Sequence, residues 1–199
     1  MRNNFDSAIT KETDSVNVDY AFVAGNSTCV FIKVGLDGSS YGYENKYLTI
    51  AERLNTLYGY SVVVSSNPEG SGKTIEEGYN ITLSYMNILG YNNPQLYYMG
   101  FSNGAYRGFV EASDLPFEKY LLINSPLMIN YHKISKGLKA IGTRKALIVY
   151  SEKDPSIKYS QMLTPMLGEN IKLEIVPGAD HQFVDMLDAF IDIPIQFFK

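Results

Sequence analysis

A chain of 199 residues, 45% hydrophobic and 19% charged, is expected to form a single domain over residues 1–199 with a sizeable core, a composition ordinary for a globular protein that argues against disorder. A formal net charge of −4, with no cluster of Lys and Arg, gives no reason to expect nucleic acid as a partner. The one cysteine, Cys29, excludes an internal disulfide; residues 1–15 lack the apolar segment of a secretory signal, no apolar stretch reaches the ~18 residues of a membrane span, and the cytoplasm is the expected compartment.

No internal repeat or Pro/Gly/Ser-rich linker divides the chain; strand and helix patterns alternate along it. Residues 16–23 alternate weakly and predict an edge strand. Residues 29–34 are an apolar, β-branched run that stops at Gly35. Leu48, Ala51, Leu54 and Leu57 recur at helical spacing over 46–57, with Gly59 as a stop. Residues 60–65 contain Val62-Val63-Val64, the pattern of a buried strand. A helix is predicted over 74–89, a strand over 96–99 and a helix over 105–112. A strand over 120–123, a helix over 130–141 and a strand over 146–150 follow. Residues 156–167 read as helical with Pro165 interrupting the end, 171–176 as a strand, and 182–191 as a last helix limited by Pro194. This alternation predicts an α/β fold: a three-layer α/β/α sandwich with a mainly parallel central sheet. Ligand sites in such sheets lie at the carboxyl ends of the strands. Gly35, Ser102, Asp154 and His181 all follow strand ends and are expected on one rim.

Gly100-Phe101-Ser102-Asn103-Gly104 has the Gly-x-Ser-x-Gly pattern of a nucleophile elbow, a sharp strand-to-helix turn that presents a serine hydroxyl. The alternative is an ordinary turn in which Ser102 bonds its own backbone. A serine hydroxyl needs a base. Of the two histidines, His181 lies in a loop directly after a strand, whereas His132 falls near a helix start and reads as a surface residue. The base needs a carboxylate to fix its tautomer, and Asp154 in Ser151-Glu152-Lys153-Asp154-Pro155 is the leading candidate over Glu152 and Asp180. Asp154 also suits a helix N-cap, since Pro155 fits the first helical position; the two roles are compatible. An oxyanion needs preorganised donors. The backbone N–H of Asn103 is one candidate, and the turn Gly35-Leu36-Asp37-Gly38-Ser39 supplies the other, with Leu36 favoured.

Glu69-Gly70-Ser71-Gly72-Lys73-Thr74 ends like a phosphate-binding loop, but Asn67 stands where the pattern requires its first glycine. A solvated loop and helix start is expected there, with no nucleotide. No Cys/His cluster has metal-ligand spacing, so neither a metal nor an organic cofactor is expected.

Together the Gly35–Gly38 turn, the elbow, the acid turn and the histidine loop resemble the α/β-hydrolase superfamily, and the chain order Ser, Asp, His is that of the superfamily. The resemblance runs from Cys29 to the C-terminus. It implies Ser102 as nucleophile, His181 as base and Asp154 as acid. Two positions depart from it: Val34 stands where histidine is frequent, and Asp37 where many members have a small residue, placing a carboxylate beside the oxyanion turn. Only a helix and its loops fit between the strands at 120–123 and 146–150, where many members insert a lid. The resemblance therefore implies a minimal member without a large cap domain, similar to small carboxylesterases and thioesterases. It implies a small-molecule ester or thioester as substrate. An acyltransferase with the same triad, and a non-catalytic binding or regulatory protein on the same fold, remain open readings.

Overall fold

The computed structural model describes residues 2–13, 16–72, 74–128 and 130–199. Its centre is one eight-stranded sheet of β1 (Ser7–Thr13), β2 (Val16–Val23), β3 (Thr28–Lys33), β4 (Ser61–Ser65), β5 (Gln95–Phe101), β6 (Lys119–Ile123), β7 (Lys145–Ser151) and β8 (Ile171–Val176), in the order β1-β2-β4-β3-β5-β6-β7-β8. The pairings from β4 to β8 are parallel, while β2 runs antiparallel to both β1 and β4.

Strict alternation along the central strands divides the core in two. Cys29 and Phe31 of β3 and Leu96 and Tyr98 of β5 point to the layer shared with α2 (Ile75–Ile88), α3 (Asn103–Val110) and α4 (Tyr131–Ile141). Val30 and Ile32, with Tyr97, Met99 and Phe101, point to the layer shared with α1 (Lys46–Tyr58) and α5 (Leu187–Phe197). A strand buried on both faces must be apolar at every position, which is why these runs read as continuous hydrophobic stretches. Each large side chain so buried contributes about 1.5–3 kcal/mol.

Three expectations are corrected. Val16–Val23 is not the edge: β1 lies outside it, paired from Ser7↔Phe22 to Thr13↔Val16. β1 escaped notice because it is exposed and polar, and a charged edge strand discourages pairing with another sheet. The stretch from 156 to 167 is 3₁₀ rather than α, over Ile157–Met166, with Pro165 inside it. The last helix begins at Leu187 and runs through Pro194 to Phe197, because residues 182–186 are taken up by turns in which Phe183 and Asp185 have positive φ.

Lys33, at the end of β3, is fully buried, and its ammonium donates to Ser65 Oγ (3.0 Å) and to Ser66 O (2.6 Å). Burial, aided by the Arg107 charge, pushes it down to about 7 from the ordinary lysine value of 10.5. Below about pH 7 the folded and unfolded chains both hold this proton. Between there and 10.5 only the unfolded chain does, so this group makes stability rise with pH across that window. Lys33→Met is expected to flatten the rise in Tm between about pH 7 and pH 9. Superimposable pH profiles for the two proteins would contradict it.

Candidate active site

β5 ends at Phe101 and α3 begins at Asn103, so the chain passes from strand to helix within Ser102, at φ 53° and ψ −118°. A non-glycine residue held there stores about 1–3 kcal/mol of backbone strain and persists only when its surroundings determine it. They do so here: Ser102 N donates to Ile123 O (2.8 Å) and Tyr106 N to Ser102 O (3.1 Å). The flanking glycines are steric requirements. A Cβ on Gly100 would lie 2.5 Å from Gly104 C, and one on Gly104 would lie 2.0 Å from Lys33 O.

His181 follows β8 in a loop anchored at several points. Glu152 Oε2 accepts from Gly178 N (2.7 Å), and Lys153 N donates to Ala179 O (2.9 Å). Asp180 Oδ1 accepts from Val184 N (3.0 Å). Thus Glu152 and Asp180, the rival carboxylates, brace the loop and do not pair with the imidazole. The ring's Nε2 lies 3.0 Å from Ser102 Oγ, and its Nδ1 lies 2.5 Å from Asp154 Oδ2. A carboxylate only accepts, so Nδ1 carries the proton and Nε2 is left free to take one. Asp154 is 2% exposed, and its other oxygen, Oδ1, accepts from Ser156 N (2.6 Å). One carboxylate therefore closes the turn before the 3₁₀ segment and faces the histidine at the same time; the expected N-cap lies two residues on, because Pro155 stays in the turn and the segment starts at Ile157 with Ser156 as its N-cap. His132 lies exposed on α4, away from this cluster.

The turn after β3 lies against the serine: a Cβ on Gly35 would be 3.3 Å from Ser102 Cβ. The backbone N–H groups of Leu36 and Asn103 donate to no other described residue, which leaves both open to a ligand oxygen. Asp37, at φ 57°, turns its carboxylate away to accept from Glu69 N (2.8 Å), so its charge is engaged with the neighbouring loop. Val34, in place of the frequent histidine, is fully buried in the apolar layer beside α1. The loop carrying Glu69–Gly72 leads into α2, yet Ser71 and Thr74 are buried, so it is only partly the solvated loop expected; Lys73 lies outside the described residues.

Two asparagines to which the sequence reading gave no part in the site tie these parts together. Asn124, at φ 51° after β6, donates through Nδ2 to His181 O (2.9 Å) and to Ser151 Oγ (2.9 Å), and its Oδ1 accepts from Ser151 N (2.8 Å). Its place just beyond a strand end was the only signal. Asn67 is fully buried; its Nδ2 donates to Val34 O (3.1 Å) and to Asn103 Oδ1 (3.0 Å). Its backbone accepts from Asp37 N (2.8 Å) and donates to Gly38 O (3.1 Å). Asn67 thus joins the Gly35–Gly38 turn to the elbow. Asn67→Ala is expected to lower kcat for an ester by about tenfold or more with little change in KM, since it loosens both candidate oxyanion donors without removing either. A fall confined to KM would show that Asn67 shapes binding instead.

Between β6 and β7 the chain forms α4, which packs on α3 so closely that a Cβ on Gly137 would lie 1.7 Å from Phe109 O. No cap layer stands over the serine among the described residues. No described group of His, Cys, Asp and Glu could hold a metal ion, and no described helix is long and apolar enough to cross a membrane.

Comparison with family models and with curated proteins finds no match. Solved structures do match over nearly the whole chain. An α/β serine hydrolase homologue from Coxiella burnetii superposes with a TM-score of 0.71 at 15% identity, covering 98% of this chain and 99% of its own. Est1E from Butyrivibrio proteoclasticus gives a TM-score of 0.70 at 15% identity over 96% and 97%. A lidless α/β serine hydrolase from Xanthomonas campestris gives 0.67 at 18% identity over 98% and 94%.

Proposed function

We propose, for a chain that has the α/β-hydrolase fold in its minimal form without a cap, that it is a serine hydrolase cleaving a small carboxylic ester or thioester through an acyl-enzyme. The observation that carries this reading is a single imidazole standing 3.0 Å from Ser102 Oγ and 2.5 Å from Asp154 Oδ2. His181 Nε2 takes the Ser102 proton as Oγ attacks the carbonyl carbon, and Asp154 stabilises the imidazolium that forms. The tetrahedral oxyanion is received by the N–H groups of Leu36 and Asn103. Nε2 then passes its proton to the departing alcohol or thiol, leaving the acyl group on Ser102. Water enters in the alcohol's place, gives a proton to His181 and releases the acid by the reverse sequence. The absence of a described cap favours small or surface-presented esters, and the names of the structural neighbours, esterases and serine hydrolases, agree with this class. The exposed Leu36 side chain, at 51%, leaves the entrance to the oxyanion turn open.

The test is rapid mixing with a 4-nitrophenyl ester. The reading expects an initial burst of about one 4-nitrophenolate per chain and an acyl group mapped to Ser102 by peptide mass. Slow release with no burst, together with no acylated Ser102 under acid quench, would contradict the acyl-enzyme route. Turnover that rises when a second alcohol or thiol is supplied would assign the acyltransferase variant of the same chemistry.

A further inference from the structure

Lys46 is the first residue of α1 and is only 3% exposed. Its ammonium lies over three aromatic rings, 4.3 Å from the Phe101 centroid, 4.5 Å from Phe190 and 5.4 Å from Tyr47. Among the described residues it makes no hydrogen bond and no ion pair. Burial alone pushes it down to about 8, with no charged neighbour acting on it.

The backbone at this point is electropositive as well. The N-cap of α1, Asn45, is left-handed and makes no side-chain cap, and the first turn holds no acidic residue. A lysine at the positive end of a helix dipole is unfavourable unless a negative charge joins it. A buried ammonium without a counter-charge is costly, and ring faces return only part of the hydration it gives up. The first backbone N–H groups of the helix are already taken, Lys46 N by Tyr43 O and Tyr47 N by Tyr41 O (3.1 Å), so what the locus lacks is a counter-charge for the buried ammonium.

The locus adjoins the candidate catalytic centre. Phe101, the ring closest to the ammonium, directly precedes Ser102, and it also neighbours the His181 ring at 5.5 Å. Phe101 also touches the oxyanion turn, where a Cβ on Gly35 would lie 3.3 Å from its Cδ1. We infer that the Lys46 ammonium forms an anion subsite of the same site, and that the substrate is an ester carrying a carboxylate away from the bond that is cleaved. This inference rests on the hydrolase reading for its chemistry, although the anion subsite has its own readout.

Two substrate pairs locate the charge. Mono-4-nitrophenyl glutarate against 4-nitrophenyl butyrate places it on the acyl side, and 4-acetoxybenzoate against 4-tolyl acetate places it on the alcohol side. In one of the pairs Lys46→Met is expected to lower kcat/KM for the charged ester at least tenfold more than for its neutral partner. Lys46→Arg, which keeps the charge, should retain most of the preference. Equal effects of Lys46→Met on charged and neutral members of both pairs would overturn the inference. Free glutarate supplies the independent arm: it should raise the Tm of the wild-type protein and slow its labelling by a fluorophosphonate, and Lys46→Met should lose both effects. No effect of glutarate on the wild type would overturn the subsite whether or not the variant folds. Absence of ester turnover and labelling, with the glutarate shift in Tm intact and Lys46-dependent, would instead remove the hydrolase reading and leave the anion site standing.

Discussion

Ser102→Ala is expected to lower kcat for a 4-nitrophenyl ester by on the order of 10⁵-fold while Tm moves by no more than about 2 °C. The two halves of this expectation have separate causes. In the proposed mechanism the Ser102 hydroxyl forms the acyl bond, and a triad that loses its nucleophile retains only the contribution of its oxyanion donors and binding contacts. The side chain contributes little to the fold, since the only described partner of Oγ is His181 Nε2. The strained backbone is held by Ser102 N to Ile123 O and by Tyr106 N to Ser102 O, neither of which involves the side chain. Alanine meets the same φ penalty as serine. Parallel steady-state kinetics and thermal melts check both halves, and a variant that keeps more than about 1% of the activity would place the nucleophile elsewhere.

Gly104→Ala is expected to cost about 3 kcal/mol and about 10 °C in Tm, the largest effect on stability named here. The added Cβ would lie 2.0 Å from Lys33 O, 2.7 Å from Lys33 C and 2.7 Å from Val34 O. All three are backbone atoms of the strand end that leads into the Gly35–Gly38 turn, so no side chain can rotate to make room. Relief requires α3 to move away from β3. That motion takes Asn103 N away from the Gly35–Gly38 turn and stretches the Asn67 Nδ2 bonds to Val34 O and Asn103 Oδ1. Activity should therefore fall with stability, and at a temperature where the variant is fully folded kcat should still be below that of the wild type. A Tm within about 2 °C of the wild type would mean that the packing of the elbow on β3 is looser than these distances require.

The sheet was legible wherever burial on both faces forces an apolar run: 29–34, 60–65, 96–99, 120–123 and 146–150 each fall on a strand within a residue or two of its ends. β1 was not, because an exposed polar strand at an edge carries no hydrophobic period and owes its shape to pairing with β2. The last helix was misplaced because the turns at 182–186 and the tolerance of Pro194 within a helix depend on tertiary packing. At the candidate site, Ser102, Asp154 and His181 could be nominated from strand ends and chain order, and the structure brings those three together. Asn67 and Asn124 could not, since their work is to join segments distant in sequence. Lys46 was invisible for the same reason: the sequence shows a lysine at a helix start, and only the fold surrounds it with Phe101, Phe190 and Tyr47. The direction of the Asp37 carboxylate likewise followed from a loop contact, with Glu69 N, that spacing along the chain does not encode.

The most direct test of the central claim is the intact mass of the protein after exposure to a small fluorophosphonate, with Ser102→Ala treated in parallel. An activated serine held between His181 and the oxyanion turn predicts one adduct on the wild type and none on the variant. An unlabelled but folded wild-type protein, or equal labelling of the two, would contradict Ser102 as a nucleophile.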